Sequence, residues 1–274
     1  MRRIFYFFVF AVVLTSCSEF ARVMKSPDVS EKFRLGNELY EQGKYKKANQ
    51  LFAQIIPNYR GKPQAEKLTY LYGMTFYYMG EKTKAEYFSA AYQLERFKDS
   101  YPNSEKAEEA FFLSAKSSYF LSPVYSKDQT ETIEAIEKLQ LFVNQYPNSE
   151  FLAEANTLIR ELDFKLEKKA FEIAKQYNKI YKYKASIKSF NNFLLDFPGT
   201  TLKEEALYWR FDSEFHLTKL SVEERIEERI AIAETYYNSL LKAFPESKYR
   251  DQATGMMEEL RRFPEELLLQ KQKS

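Results

Sequence analysis

A short phrase that recurs along the chain constrains its fold more than any other feature. Each copy is a Tyr or Phe, then a proline, then any residue, then a Ser or Thr. The four prolines, at positions 102, 147, 198 and 245, lie 45, 51 and 47 residues apart. A stretch with helical periodicity precedes each copy, and proline ends such a helix because it lacks an N–H and disfavours α geometry in the residue before it. The Ser or Thr offers a cap for the next helix. Repetition at this period is typical of helical repeat proteins.

A second pattern, near the amino end, indicates which kind of repeat this is. Gly36 stands where two helices would touch, Gly43 stands in a tight turn, and Ala48 and Phe52 follow on the second helix, as in the tetratricopeptide (TPR) pattern. A second copy places Gly73 and Gly80 at the corresponding two positions. Degenerate copies have other residues at the first small position: Ala115, Ala174 and Phe211.

These repeats predict an all-α fold, a TPR superhelical solenoid of about five helix pairs plus a C-terminal capping helix. The expected pairs are residues 30–59, 64–101, 104–146, 150–197 and 201–245, and the capping helix is 247–262. A single pair cannot bury its apolar face, so stacking of successive pairs supplies the core. The sequence contains no strand-period run of useful length.

The amino end carries a targeting segment rather than part of the fold. Arg2 and Arg3 precede an apolar run from Ile4 to Leu14, which is too short to cross a bilayer as a mature helix. The run ends in Leu-Thr-Ser-Cys17, which resembles a bacterial lipobox, the site at which the chain is cleaved before a cysteine that becomes acylated. Two or more acyl chains give a stable membrane anchor. An ordinary signal peptide with a chance cysteine is the alternative.

The expected organisation is therefore a lipoprotein signal peptide at 1–16, a lipidated tether at 17–28, the TPR domain at 29–262 and a C-terminal tail at 263–274. Removing residues 1–16 takes away two arginines and leaves 39 basic and 39 acidic residues, so the mature chain is formally neutral. A nucleic-acid binder would be expected to keep a basic excess, so we expect no nucleic-acid partner.

Composition and motifs also argue against catalysis. One Cys and one His cannot form a disulfide or a structural zinc site. The chain has no phosphate-binding loop, nucleophile elbow or metal-binding helix motif, and its carboxylates lie on ordinary charged helix faces. We therefore expect no enzymatic activity, no metal and no cofactor other than the covalent lipid on Cys17. His216 is expected to be a surface residue.

The abundant aromatic residues suggest a binding groove. When the repeats are aligned, aromatic residues fall seven apart on the first helix of each pair, which places them on one helix face. The candidate peptide groove consists of Phe33, Tyr40, Tyr70, Tyr77, Phe112 and Tyr119. In the fourth repeat the pair is Phe171 and Asn178, so the pattern breaks there. Rigid amphipathic rings could hold an extended or helical peptide, and interhelical core packing is the alternative interpretation.

In the C-terminal repeats a second set of residues is a candidate for docking onto another protein. This set is Tyr208, Phe215, Glu224, Arg225 and Arg229. The charged part of the set also fits a solvated helix face with ion pairs one turn apart.

A TPR array behind a lipobox cysteine resembles the BamD family, the lipoprotein of the outer-membrane β-barrel assembly machine. The most specific parts are the loop from Ser122-Pro123 to Thr130, the following Tyr146-Pro147-Asn148-Ser149, and Leu195-Asp196-Phe197-Pro198. The resemblance implies a lipid-anchored protein (palmitate is the expected acyl group) in the outer membrane, facing the periplasm.

The partners that this resemblance implies are the periplasmic domains of the central β-barrel assembly protein, unfolded outer-membrane proteins, and other assembly lipoproteins. In the family the C-terminal repeats dock on the barrel protein and the N-terminal repeats recognise clients. The alternative function is that of another periplasmic TPR interaction lipoprotein, which organises the envelope or peptidoglycan or binds glycans.

Overall fold

The structure is a computed structural model that describes residues 19–273, with side chains described through residue 269. The predicted signal peptide and Cys17 lie outside the described residues. The chain divides into two compact units, Met1–Leu162 and Asp163–Ser274, and each is described by itself.

Helices make up all the regular structure of the described residues. The first unit contains α1 (Val29–Glu41), α2 (Tyr45–Tyr59), α3 (Ala65–Gly80), α4 (Glu86–Ser100), α5 (Ala107–Leu121) and α6 (Thr130–Gln145). Helix α7 (Leu152–Lys179) begins in the first unit and ends in the second. The second unit continues with α8 (Tyr183–Asp196), α9 (Lys203–Lys219), a 3-10 turn (Glu223–Arg225), α10 (Ile226–Ala243) and α11 (Arg250–Lys273).

Helices adjacent in sequence pack on each other, from α1 to α6 in the first unit and from α8 to α11 in the second. The predicted all-α TPR architecture is confirmed, and the helix bounds agree with the expected pairs to within a few residues. None of the described helices is both long and apolar enough to cross a bilayer.

The recurring proline phrase builds the same turn four times. The residue before each proline has φ between −136° and −125° and ψ between 61° and 80° (Tyr101, Tyr146, Phe197 and Phe244). The hydroxyl two residues after the proline accepts a hydrogen bond from the N–H two residues further on, as Ser104 does from Lys106 at 3.1 Å and Ser149 does from Phe151 at 3.0 Å. Thr200 and Ser247 make the equivalent bonds. The hydroxyl therefore fixes the turn ahead of the helix and does not cap the helix itself, which corrects the expected N-cap.

The glycines of the first two repeats are explained by close packing and by one turn. A β-carbon on Gly36 would lie 2.5 Å from a ring carbon of Phe52, and one on Gly73 would lie 2.8 Å from a methyl carbon of Leu94. Gly43 has φ 69°, the left-handed conformation that glycine adopts at little cost. Gly80, expected in an equivalent turn, instead ends α3, where a β-carbon would meet the ring of Tyr87 at 2.6 Å.

The structure differs from the predicted domain ends. Residues 19–25, expected in the tether, are helical, and Val23 is fully buried in the core of the first repeat together with Leu35 and Leu51. At the other end α11 continues through Pro264 to Lys273, past the expected end of the capping helix. The folded part of the chain therefore extends in both directions beyond the repeat pattern.

Phenylalanines dominate the cores. The largest fully buried side chains of the first unit include Phe52, Phe97, Phe111, Phe112 and Phe142, and those of the second unit include Phe190, Phe193 and Phe211. Burial of one such side chain stabilises a fold by roughly 1.5–3 kcal/mol. Much of the aromatic excess is thus accounted for by packing between helices.

Candidate binding surfaces

Two members of the candidate groove lie in the core. Phe112 is 1% exposed, and its ring stacks on that of Phe151 at 4.7 Å between centroids. Phe112 therefore presents no surface to a ligand, which corrects its place in the groove. Tyr77 is 9% exposed and packs against Tyr87, and burial raises the pKa of its hydroxyl to about 12.

The remaining members, Phe33, Tyr40, Tyr70 and Tyr119, are half-buried. The Tyr119 hydroxyl donates a hydrogen bond to the carboxylate of Glu161 at 2.5 Å. This bond, together with burial and the charge of Glu161, raises the pKa of Tyr119 to about 12. Burial is the main cause that raises the pKa of Tyr40 and of Tyr70. These hydroxyls stay protonated at neutral pH and can donate hydrogen bonds.

Beside Tyr40 lies a pocket of about 650 Å³ that the seven-residue pattern does not reveal. The ring of Tyr40 contacts the rings of Tyr45 and Tyr78, which stack on each other at 4.5 Å and line this pocket. Phe76 and Met79 add apolar surface to its wall. Among the charged residues of the wall are Lys44, Lys46, Lys47 and Lys82, together with Glu81 and Glu86.

The aromatic pattern of the sequence does not predict this pocket, for two reasons. Tyr45 is the first residue of α2, whereas the pattern covers only the first helix of each pair. Tyr78 follows Tyr77, the residue that the repeat alignment selects, by one position. The signal available was the position of both residues next to the turns that join α1 to α2 and α3 to α4. In a helical repeat these turns come together at one edge of successive pairs, so aromatic residues beside them form one surface.

Three of the docking candidates in the second unit are internal. Tyr208 and Phe215 are buried, and the ring of Tyr208 stacks on that of Tyr249 at 4.1 Å. Arg229 is also buried, and its guanidinium donates to the carboxylate of Glu214 at 3.0 Å. These side chains have no free surface for a partner, which corrects their assignment to docking.

The other two candidates, Glu224 and Arg225, are exposed. Arg225 pairs with Glu228 at 3.2 Å across one helical turn. This contact is typical of a solvated helix face and contributes little to stability. Glu224 and Arg225 are the members of the set that a partner could reach.

The break in the aromatic pattern at Asn178 has a structural cause. The side-chain amide of Asn178 donates to the carboxylate of Asp212 at 2.7 Å and to the hydroxyl of Ser213 at 2.9 Å. Ser213 donates in turn to Ser186 at 2.9 Å, and all four side chains are buried. Burial raises the pKa of Asp212, while the bond from Asn178 opposes that rise. A polar network therefore replaces the aromatic contact in the fourth repeat.

His216 lies at the edge of this network. Its Nε2 atom is 3.7 Å from the Asp212 carboxylate, and its ring stacks on that of Tyr183. The side chain is partly exposed, in keeping with the expectation of a surface residue.

The chain is similar in sequence to known proteins over most of its length. The family described as YfiO, outer membrane lipoprotein, matches residues 26–230. The prokaryotic membrane lipoprotein lipid attachment site matches residues 1–18, which include Cys17. A protein of Aquifex aeolicus (strain VF5), provisionally named outer membrane protein assembly factor BamD, is 33% identical over 220 residues, which cover 79% of this chain and 69% of that protein.

Proposed function

The chain belongs to the YfiO/BamD family of outer membrane lipoproteins, and from that premise we propose that it is a non-enzymatic scaffold in the assembly of outer-membrane proteins. It is anchored in the outer membrane and faces the periplasm. In this proposal acyl chains on Cys17 hold it there. Its partners are the periplasmic domains of the central β-barrel assembly protein, other assembly lipoproteins and unfolded outer-membrane proteins.

The pocket beside Tyr40 is the observation that carries the proposed client site. Its stacked Tyr45 and Tyr78 rings offer apolar faces to an aromatic or aliphatic side chain of a client. The lysines in the wall can pair with a client carboxylate, and the side-chain amides of Asn49 and Gln50 in the same wall can donate to a backbone carbonyl. Such a surface suits an extended peptide, which uses main-chain hydrogen bonds for affinity and side-chain pockets for specificity.

The scaffold role is tested by native purification. The protein is isolated at its normal level from detergent-solubilised membranes, and the proteins that accompany it are identified by mass spectrometry. We expect a large β-barrel protein with periplasmic repeats. Its absence from a preparation that retains the lipidated chain would contradict the proposal.

The client site is tested with labelled peptides from the C-terminal strands of barrel proteins. We expect Tyr45→Ala to weaken binding several-fold, because it removes one face of the stacked pair that lines the pocket. Tyr92→Ala is the matched control, since Tyr92 is an exposed tyrosine of the same unit that does not line the pocket. Equal affinities of the two variants would remove the pocket from the proposal.

A glycan-binding lipoprotein is the alternative that uses similar chemistry. Tryptophan is the usual platform for sugars in such proteins, and the only tryptophan, Trp209, is half-buried and donates to Glu205. Titration with peptidoglycan oligosaccharides, in parallel with the barrel peptides, separates the two functions. Saturable binding of the sugar but not of the peptide would favour the alternative.

Docking of the C-terminal repeats on the barrel protein is proposed to use the exposed Glu224 and Arg225. The double charge reversal Glu224→Lys/Arg225→Glu should reduce co-purification of the barrel protein, because it inverts the charge order of an exposed surface while the fold stays intact. The melting temperature of the variant serves as the control. Full co-purification would place docking elsewhere.

A further inference from the structure

The turn that joins α7 to α8 contains an unusual backbone conformation. Tyr181 has φ 62° and is the only residue other than glycine with positive φ among the described residues. Its N–H donates to the carbonyl of Asn178 at 2.9 Å, and the next N–H, of Lys182, donates to the carbonyl of Tyr177 at 2.8 Å. Gly43 and Lys44 make the same two bonds, at 2.9 and 2.8 Å, in the first repeat. Tyr181 thus occupies a glycine position, where a β-carbon is unfavourable.

Packing of the side chain does not account for a tyrosine at this position. The Tyr181 side chain is 77% exposed, and its neighbour Ile180 is exposed as well. Its ring touches that of Tyr183 at 6.2 Å between centroids, edge to face. A strained backbone that displays a large exposed ring is more readily explained by binding than by folding.

The turn also concentrates positive charge. Residues 173–195 contain five lysines and no acidic residue. Lys175 pairs with Glu205 at 2.8 Å, whereas Lys179, Lys182 and Lys184 are exposed and have no carboxylate within ion-pair distance in the part of the chain that the structure describes. We call residues 179–184 the basic turn.

Asp212, the carboxylate that acts on the Tyr183 hydroxyl, makes no ion pair with the lysines of the basic turn among the described contacts. Asp212 is buried and accepts from Asn178. The stacking of Tyr183 on His216 places the carboxyl end of α9 next to the basic turn, so the loop after α9 lies at the same end of the unit. That loop begins with the exposed Leu220 and Val222, and its acidic residues follow at 223 and 224.

From these observations we infer that the basic turn binds the surface of a bilayer that contains anionic phospholipids. Tyr181 and Ile180 would lie at the level of the headgroups, where amphipathic aromatic residues are favoured. The three exposed lysines would face the phosphates, and each lysine close to an anionic membrane strengthens binding about five-fold. The chain is an outer membrane lipoprotein, so a basic patch adds a second attachment to the lipid anchor.

The residue types favour a membrane over an acidic protein as the occupant. Every cation of residues 173–195 is a lysine. Lysine is depleted in protein–protein interfaces, whereas arginine is enriched there because its planar group makes paired hydrogen bonds. The basic turn is also an exposed connection between two helices rather than a groove.

Vesicle sedimentation tests the inference. The probe protein is the mature chain, residues 17–274 with Cys17→Ser, so that no lipid is attached. We expect it to bind vesicles of equal parts phosphatidylcholine and phosphatidylglycerol, and not vesicles of phosphatidylcholine alone. Binding should be lost at about 1 M salt, where the Debye length is about 3 Å.

Lys179→Gln/Lys182→Gln/Lys184→Gln should lower the partition coefficient about a hundred-fold, since three lysines are removed. The matched control is Lys203→Gln/Lys242→Gln/Lys248→Gln, which removes the same charge from exposed lysines at the other end of α9, where the α10–α11 turn meets its first residues. The control should bind within about two-fold of the unchanged protein because its lysines lie a helix length from the basic turn. Equal losses in the two triple variants would overturn the inference, because binding would then follow net charge alone.

Tyr181→Gly separates binding from folding. Glycine accepts the positive φ, so this variant should melt at a higher temperature while its partition onto anionic vesicles falls several-fold. A more stable variant with unchanged vesicle binding would contradict the role of the ring. If the unchanged protein ignores both vesicles and instead binds polyglutamate through the same lysines, the surface recognises acidic protein and the inference is wrong.

Discussion

The ring of Phe52 fills the space beside Gly36, so that a β-carbon on residue 36 would lie 2.5 Å from ring atom Cε1. A ring fixed in a buried core cannot give way as a flexible side chain would. Gly36→Ala should therefore lower the free energy of unfolding by about 1–3 kcal/mol, as overpacking does in other cores. Urea denaturation followed by circular dichroism measures this loss.

Gly255→Ala is the control for this substitution. Gly255 lies inside α11, and a β-carbon there would meet no atom within 4 Å. The same exchange should raise stability by about 0.5–1 kcal/mol, because alanine is the better helix former. A loss of equal size at both positions would mean that the contact with Phe52 is not the cause.

The buried pair of Glu214 and Arg229 predicts a pH-dependent loss of stability. Removal of one partner from a buried pair costs about 3–5 kcal/mol, so Arg229→Met should be strongly destabilising at neutral pH. Burial already raises the pKa of Glu214, and loss of Arg229 raises it further. A carboxyl whose pKa is raised in the folded state disfavours folding once it is ionised. The stability lost in Arg229→Met should therefore become smaller as the pH falls from neutral towards 4.5, the ordinary pKa of a glutamate side chain.

Unfolding of the Arg229→Met variant at neutral and at mildly acidic pH checks this prediction. The double variant Glu214→Gln/Arg229→Met removes the unpaired charge and should recover most of the loss at neutral pH. A deficit that is independent of pH would indicate lost packing of the arginine stem rather than an uncompensated carboxylate.

Tyr77 and Tyr119 should respond differently to truncation, although both belong to the candidate groove. Tyr77→Ala empties a buried position and should lower stability by about 3–5 kcal/mol. Tyr119→Phe keeps the ring and removes only the bond to Glu161, which is worth about 1 kcal/mol. Thermal melts compare the two, and a small effect of Tyr77→Ala would show that this side chain is not part of the core.

The network around Asn178 predicts a specific loss in the fourth repeat. Asn178→Ala leaves the buried carboxylate of Asp212 without its donor, which should lower stability by about 1–3 kcal/mol. The pKa of Asp212, already raised by burial, would rise further, so this loss should also diminish at acidic pH. Asn192→Ala, at an exposed position of α8, is the matched control and should be close to neutral.

Much of the fold could be predicted because its signals are local. The phrase of an aromatic residue followed by proline comes directly after a helix each time, so the four turns could be placed from sequence. A proline alone is not sufficient, because Pro57 and Pro264 lie inside helices. Gly36 and Gly73 could be recognised because only glycine allows the observed helix contacts. Gly80 could not be interpreted in this way. Its spacing suggested a glycine required by a turn, but the structure requires glycine there because the ring of Tyr87, seven residues later, packs against it.

The binding surfaces were harder to predict because the same residue type serves two purposes. A seven-residue spacing places Phe112, Tyr119 and their equivalents on one helix face, but it does not tell which neighbouring helix covers that face. Only the packing of α5 against its neighbours separates the buried Phe112 from the half-buried Tyr119. Likewise Arg229 looked like a surface charge, because its buried partner Glu214 stands on another helix.

The four proline turns have one more consequence. Because the residue before each proline has nearly the same backbone angles, Tyr101 and Tyr146 end their helices in the same conformation. A tandem duplication of the stretch between them would rejoin the chain without a new kind of connection. The number of helix pairs can therefore change by one whole pair at a time, because each added pair would end in the same turn from which the next pair already starts.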